Sequence, residues 1–291
     1  PPSPGEPYPH LWFQDRRVRV MDPRHFPHLC QPDACKSCGA CCGLYNYADS
    51  SRDTLMRRLR RRTALMGRAE RSPAGLEDFA RMIRETEDMT KRYEVIYCCE
   101  YLGFLDLEER CVGCLLHPLQ NDGVDHREVS FYGRELCDGH FCPSYHYLSR
   151  EEKHSLLNVI DDWYLYGLVV TDIDLVKSYF RLISDGVYET PDPECFRSGP
   201  IHESARSFFS LKLTWPFRDA DVHRLGKYYF DGSQYMIKYI DYEALGMGKS
   251  RFDQVFMSLG SEFSCREDVR AAEEIIARHI GGFIDTYRNY K

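Results

Sequence analysis

Cys35, Cys38, Cys41 and Cys42 place four thiols within eight residues, as Cys35-Lys-Ser-Cys38-Gly-Ala-Cys41-Cys42. A single cysteine contributes little apolar volume to a core, so this density follows from reactivity or metal affinity rather than from packing. Two-residue spacers let the backbone curl until successive thiolates reach one ion or cluster, and Gly39 and Gly43 permit the turns. Cys41 and Cys42 are adjacent and point apart in any regular backbone. They therefore serve different metal atoms, or leave one thiol free.

Further along lie Cys98, Cys99, the pair Cys111-Val-Gly-Cys114, Cys137 and Cys142-Pro143, so that eleven of the thirteen cysteines fall between Cys30 and Cys142. Cys35, Cys38 and Cys41 have the spacing of the first three ligands of a bacterial ferredoxin cluster, and Cys142-Pro143 supplies the remote cysteine-proline that completes such a set. Cys111 and Cys114 have the spacer of a zinc knuckle. An iron-sulfur cluster is the leading cofactor and zinc the alternative, because thiolates suit both. The odd cysteine count fits a disulfide framework poorly, as do the reduced thiols of a cytoplasmic protein. His25, His28 and Cys30 read as bystanders, and His117 and His140 as outer donors to a metal ligand or surface residues. Cys195 and Cys265 stand alone and read as buried structural cysteines. Gly248-Lys249-Ser250 ends like a phosphate-binding loop, but Glu243 occupies the position of the required first glycine.

Taken together, Cys35-x2-Cys38-x2-Cys41-Cys42, Cys99, Phe104-Leu105, Cys111, His117-Pro118, Cys137 and Cys142-Pro143 resemble the YkgJ-like cysteine-cluster family. That family is associated with zinc or iron chelation, and a similar module occurs in a flagellin lysine methylase. The resemblance covers residues 30–148 and implies eight metal thiols: Cys35, Cys38, Cys41, Cys42, Cys99, Cys111, Cys137 and Cys142. Cys35, Cys38 and Cys41 are then expected to share a centre with Cys142, and Cys42 to face Cys111 and its neighbours. The chain departs from the family in having His117-Pro118 for Arg-Pro, an insertion before Cys137, and two extra thiols, Cys98 and Cys114, either of which can replace a family ligand.

The elements that must position these thiols set the expected fold. With 291 residues and 43% hydrophobic content the chain buries a core without covalent staples. The expected class is α+β: a proline-rich extended arm over residues 1–34, a cysteine-rich metal domain over 35–148, and a mainly helical domain with one hairpin over 149–291. Apolar residues at helical spacing predict helices over residues 51–68 and 73–92, and short strands are expected at 93–97 and 129–132. Ser149 and Glu152 form a capping box opening one helical pattern through Leu168; a second box, Ser264 with Glu267, opens the last helix. A hairpin is expected over 228–242 around Asp231-Gly232.

The net charge of −7 argues against a general nucleic-acid binder, and nothing approaches the roughly 20 apolar residues of a membrane span. The expected compartment is the cytoplasm. One local exception is the helix bearing Arg52, Arg57, Arg58, Arg60, Arg61, Arg62, Arg68 and Arg71, a candidate docking face for an acidic protein partner. The expected function is metal binding through an iron-sulfur cluster, for electron transfer or sensing. Alternatives are a zinc-stabilised interaction module and a protein-modifying, methylase-like enzyme.

Overall fold

The computed structural model describes residues 28–197, 199–219 and 228–291. Most of the expected arm, including His25, lies outside these residues. The first long helix, α1 (Arg52–Met66), buries Leu55, Leu59 and Met66 on one face. In α2 (Pro73–Thr86), Pro73 occupies the first turn and the Ser72 hydroxyl accepts from the Gly75 amide. This helix ends at Thr86, short of residue 92, because the chain turns extended at Glu87, whose carboxylate is held by Arg58, Arg61 and Arg62 of α1.

The strand expected at 93–97 is instead a turn. Asn46 explains it: its side-chain amide donates to the carbonyls of Tyr93 and Ile96, and its oxygen accepts from the Tyr93 amide. Those backbone groups need no strand partner. Residues 129–132 likewise lie at the end of a 3-10 turn, where the Ser130 hydroxyl donates back to the Arg127 carbonyl. A small sheet forms elsewhere, with β1 (Leu102–Phe104) antiparallel to β2 (Val112–Cys114) and Leu102 opposite Cys114. Strands of three residues carry too little alternation to show in sequence.

Two short helices, α3 (Gly133–Gly139) and α4 (Pro143–Tyr147), lead to α5 (Arg150–Val159), where the Ser149 and Glu152 capping box forms with both of its hydrogen bonds. The single helical pattern expected through Leu168 is broken after α5, because Asp162 caps a new helix, α6 (Trp163–Val170), by accepting from the Leu165 amide. Next come α7 (Ile173–Val187), α8 (Gly199–Phe209) and α9 (Leu211–Thr214). The expected hairpin is present as β3 (Tyr228–Asp231) paired with β4 (Gln234–Ile237), and α10 (Asp253–Ser258) and α11 (Arg266–Tyr290) complete the described chain. The box at Ser264 does not form; its amide donates to Asp268 instead. Mostly helical, with small antiparallel strand pairs, the chain is of α+β content.

Every residue of α6 is buried, and this helix stands between two cores. Its Leu165, Tyr166 and Val169 join the large apolar cluster of α5, α7, α8, α10 and α11. Trp163, Tyr164 and Leu168 join Leu44, Tyr45, Leu55, Leu59 and Phe104 on the other side. The Tyr45 hydroxyl donates to the carbonyl of Tyr164 at 3.0 Å, and Gly167 leaves room for the Tyr45 ring, which a side chain there would strike. Among the described residues no helix is long and apolar enough to cross a membrane.

The arginines of α1 are largely engaged within the chain. Arg52 pairs with Asp162, Arg60 with Glu109, and Arg58, Arg61 and Arg62 with Glu87. Arg62 is 1% exposed and also donates to the Tyr47 hydroxyl and the Cys99 carbonyl. A charged group this deep is stable only with its donors satisfied. Five of the eight arginines are thus paired within the chain, and the three carboxylates that pair them offset part of the positive charge of this face.

Candidate metal centre

Cys30 and Cys38 are tied by the backbone: the Cys38 amide donates to the Cys30 carbonyl at 2.8 Å. The loop around them is fastened to distant elements. Tyr166 of α6 donates its hydroxyl to the Leu29 carbonyl, and the His28 ring lies 5.4 Å from those of Phe141 and Tyr145. Cys142, the residue before α4, is thereby brought beside the loop. Burial pushes the Cys30 thiol up to about 12, and Cys41 and Cys142 add to the shift. Cys38 is raised by burial, then by Cys30, Cys41 and Cys142; Cys41 is raised to about 11 by burial and then Cys142. Cys30, Cys41 and Cys142 therefore each oppose ionisation of another thiol nearby, as like charges do at short range.

A second set gathers on the other side of the Cys41–Cys42 peptide. The Cys99 amide donates to the Cys42 carbonyl at 3.0 Å, and Cys42, Cys99 and Cys114 pack on one apolar cluster. Gly43 follows in the left-handed conformation at φ 77°, where any side chain would strike the Tyr97 carbonyl. Cys114 arrives through the register of β2, and Cys137 of α3 has its sulfur 3.5 Å from the Ser130 hydroxyl. Cys42 is raised by burial, then by Cys99, Cys114, Cys41 and Cys137; Cys99 by burial, then Cys114 and later Cys137. Burial takes Cys114 to about 11, and Cys137 contributes.

Cys35 and Cys111 stand outside both sets. Arg110 places Nη1 3.9 Å from the Cys35 sulfur, and the Cys111 thiol donates to the carbonyls of Asp33 at 3.7 Å and Lys36 at 3.9 Å. Burial, then Asp106, Asp33 and Cys35, push the Cys111 thiol up to about 12. Cys35 lines a cleft of about 280 Å³ with Arg52, Arg110 and Trp163. The expectation that Cys35 joins Cys38, Cys41 and Cys142 thus meets a different neighbour, Cys30, which had read as a bystander. Cys114 similarly stands beside Cys42 where Cys111 was expected. Nothing in the spacing marks Cys30; its link to Cys38 is a backbone hydrogen bond across a loop.

The remaining candidates have other partners. Cys98 is buried, accepts from the Asn46 amide and donates to the Gly43 carbonyl. His117 accepts from the Leu119 amide and so caps a 3-10 turn, while His140 is exposed at the end of α3. All thirteen cysteines are free thiols. Among the described residues, no group of three or more His, Cys, Asp or Glu side chains is placed so that it could hold a metal ion. A cleft of about 860 Å³ between α5 and α7, lined by Glu151, Glu152, Asp174, Lys177 and Arg181, has no cysteine in its wall. Comparison with protein-family models, with curated proteins and with solved structures found no match.

Proposed function

We propose that this chain is a metal-binding protein whose clustered thiols carry an iron-sulfur cluster for electron transfer or sensing. The observation that supports it most is the load of free thiols on three segments, Cys30 to Cys42, Cys98 to Cys114 and Cys137 to Cys142, with backbone hydrogen bonds joining Cys30 to Cys38 and Cys42 to Cys99 and no disulfide formed. Buried neutral thiols this close have no packing advantage, whereas a cation removes their protons and converts mutual repulsion into coordination. Thiolates in fours are the usual complement of a cluster or of a structural zinc. Exposed Cys41 and Cys137 lie at the surface, a short path for an electron to or from a partner. The resemblance to the YkgJ-like family adds to the same reading.

Zinc in a structural module is the second reading, favoured by the all-thiol donor sets, which leave no position for substrate. The methylase-like reading gains no support from the large α5–α7 cleft, which has no thiol in its wall. Purification without oxygen, followed by metal and sulfide analysis and an absorption spectrum, tests the proposal. Brown protein with stoichiometric iron and sulfide is expected. Colourless protein with stoichiometric zinc transfers the proposal to the zinc module, and protein with neither metal overturns both.

A further inference from the structure

We infer that the cleft between α5 and α7 binds a short peptide of about three residues with free termini, its carboxylate on Arg181 and its ammonium toward Asp174. This is independent of the metal-binding reading, since no cysteine lines the cleft.

The cleft follows from the two faces of α7. Leu175, Val176, Tyr179 and Ile183 bury one face in the large apolar cluster. Asp174, Lys177, Ser178, Arg181 and Ser184 recur at helical spacing and line the cleft. Across it α5 presents Glu151, Glu152 and Ser155. Helices that meet through polar stripes have no apolar ridges to interdigitate. These two leave about 860 Å³ between them, within the roughly 300–1,000 Å³ in which proteins hold small ligands. One bridge is made from α7 to α5: Lys177 donates to Glu152 at 2.7 Å, and those two charges cancel.

The groups left over select the ligand. Arg181 has no carboxylate or hydrogen-bond partner among the described residues. Ser155 and Ser178 are 1% and 4% exposed and line the cleft, yet neither hydroxyl has a hydrogen-bond partner among the described residues. Buried hydroxyls are ordinarily bonded, so these suit an occupant with donors and acceptors of its own. A dianionic phosphate is disfavoured: with Lys177 cancelled by Glu152, it meets one guanidinium against the carboxylates of Glu151 and Asp174. A zwitterion answers both signs. Asp174 and Arg181 are two helical turns apart, about 10 Å along the axis of α7. The ammonium and carboxylate of a single amino acid share one carbon and cannot span that distance, whereas three extended residues do, at about 3.3–3.6 Å each. The peptide carboxylate then takes the guanidinium in a charge-assisted pair, and the amides between the termini meet the hydroxyls of Ser155 and Ser178.

Calorimetric titration of the purified full chain with triglycine, trialanine and triserine, each as the free zwitterion and as its C-terminal amide, tests this. Saturable binding of at least one free tripeptide is expected, with its amide bound about tenfold or more weakly, the loss of one charged hydrogen-bonded pair. Free alanine and serine are expected not to bind in the same range. In Arg181→Gln the free peptide is expected to fall to the affinity of the amide, while the amide keeps its own. Arg181 is exposed, so its replacement leaves the core intact, and the comparison of acid with amide on the native chain needs no variant. The inference is overturned if none of the three peptides binds saturably, if acid and amide bind alike, or if Arg181→Gln binds the free peptide as the native chain does. Displacement of the peptide by inorganic phosphate also overturns it and makes the cleft an oxyanion site.

Discussion

Cys195 shows what burial does to a thiol that no metal reading claims. It is 4% exposed in the large helical core, and burial, with Asp192 adding, pushes it from 9.0 up to about 12. Between those values the unfolded chain ionises while the folded chain keeps its proton, so folded protein binds more protons and stability falls as pH rises. Below pH 9 the contribution is fully present. Each unit of such a shift corresponds to about 1.4 kcal/mol. The expected outcome is a steeper loss of stability above pH 9 in the native chain than in Cys195→Ala, measured by urea unfolding at pH 8 and pH 10. Parallel losses in the two proteins would show that Cys195 does not carry the effect. That Cys195 is a buried lone cysteine was legible in sequence from its isolation, whereas the carboxylate of Asp192 beside it was not assigned any role.

At the scale of elements, the legible features were those written within one turn or one helix. The stripe of Leu55, Leu59 and Met66, the proline opening α2 and the Ser149 capping box all formed as local rules require, because each depends on residues at most a few positions apart. The segment at 93–97 shows the limit: Asn46, almost fifty residues earlier, takes its backbone partners. The turn at Gly43 couples these two regions. Its positive φ and the Tyr97 carbonyl against its α-carbon leave no room for a side chain. Gly43→Ala is expected to destabilise the chain by at least 1–2 kcal/mol, as strain at such a backbone position does, and to lower metal content by displacing Cys42 from Cys99. Unfolding midpoints and bound metal report the two effects separately. An alanine variant as stable and as metal-loaded as the parent would show that the turn accommodates a side chain.

For the whole molecule, the proposed metal binding predicts which parts depend on it. Binding at thiolate sites is also folding free energy, about 10–16 kcal/mol in small zinc-folded peptides. The helices α7, α8, α10 and α11 share one large apolar cluster, whereas the cysteines from Cys30 to Cys142 lie on loops, short strands and short helices, with Cys42, Cys98, Cys99 and Cys114 against two smaller clusters. A strong chelator under reducing conditions is therefore expected to open protease sites within residues 28–148 before those helices are cut. Unchanged protease resistance would show that metal is not structural. Since α6 lies in both cores, loss of the cysteine segments should also expose Trp163, seen as a red shift of its fluorescence. Local sequence was enough for the thiol-rich character, four cysteines within eight residues, and for the helices whose apolar stripes repeat at 3.6 residues, because residue type and helical periodicity are local properties. Which cysteine segments meet follows from tertiary contacts. Cys30 meets Cys38, and Cys42 meets Cys99, through backbone hydrogen bonds between separate stretches, and such contacts depend on distance in space, which spacing along the chain does not encode.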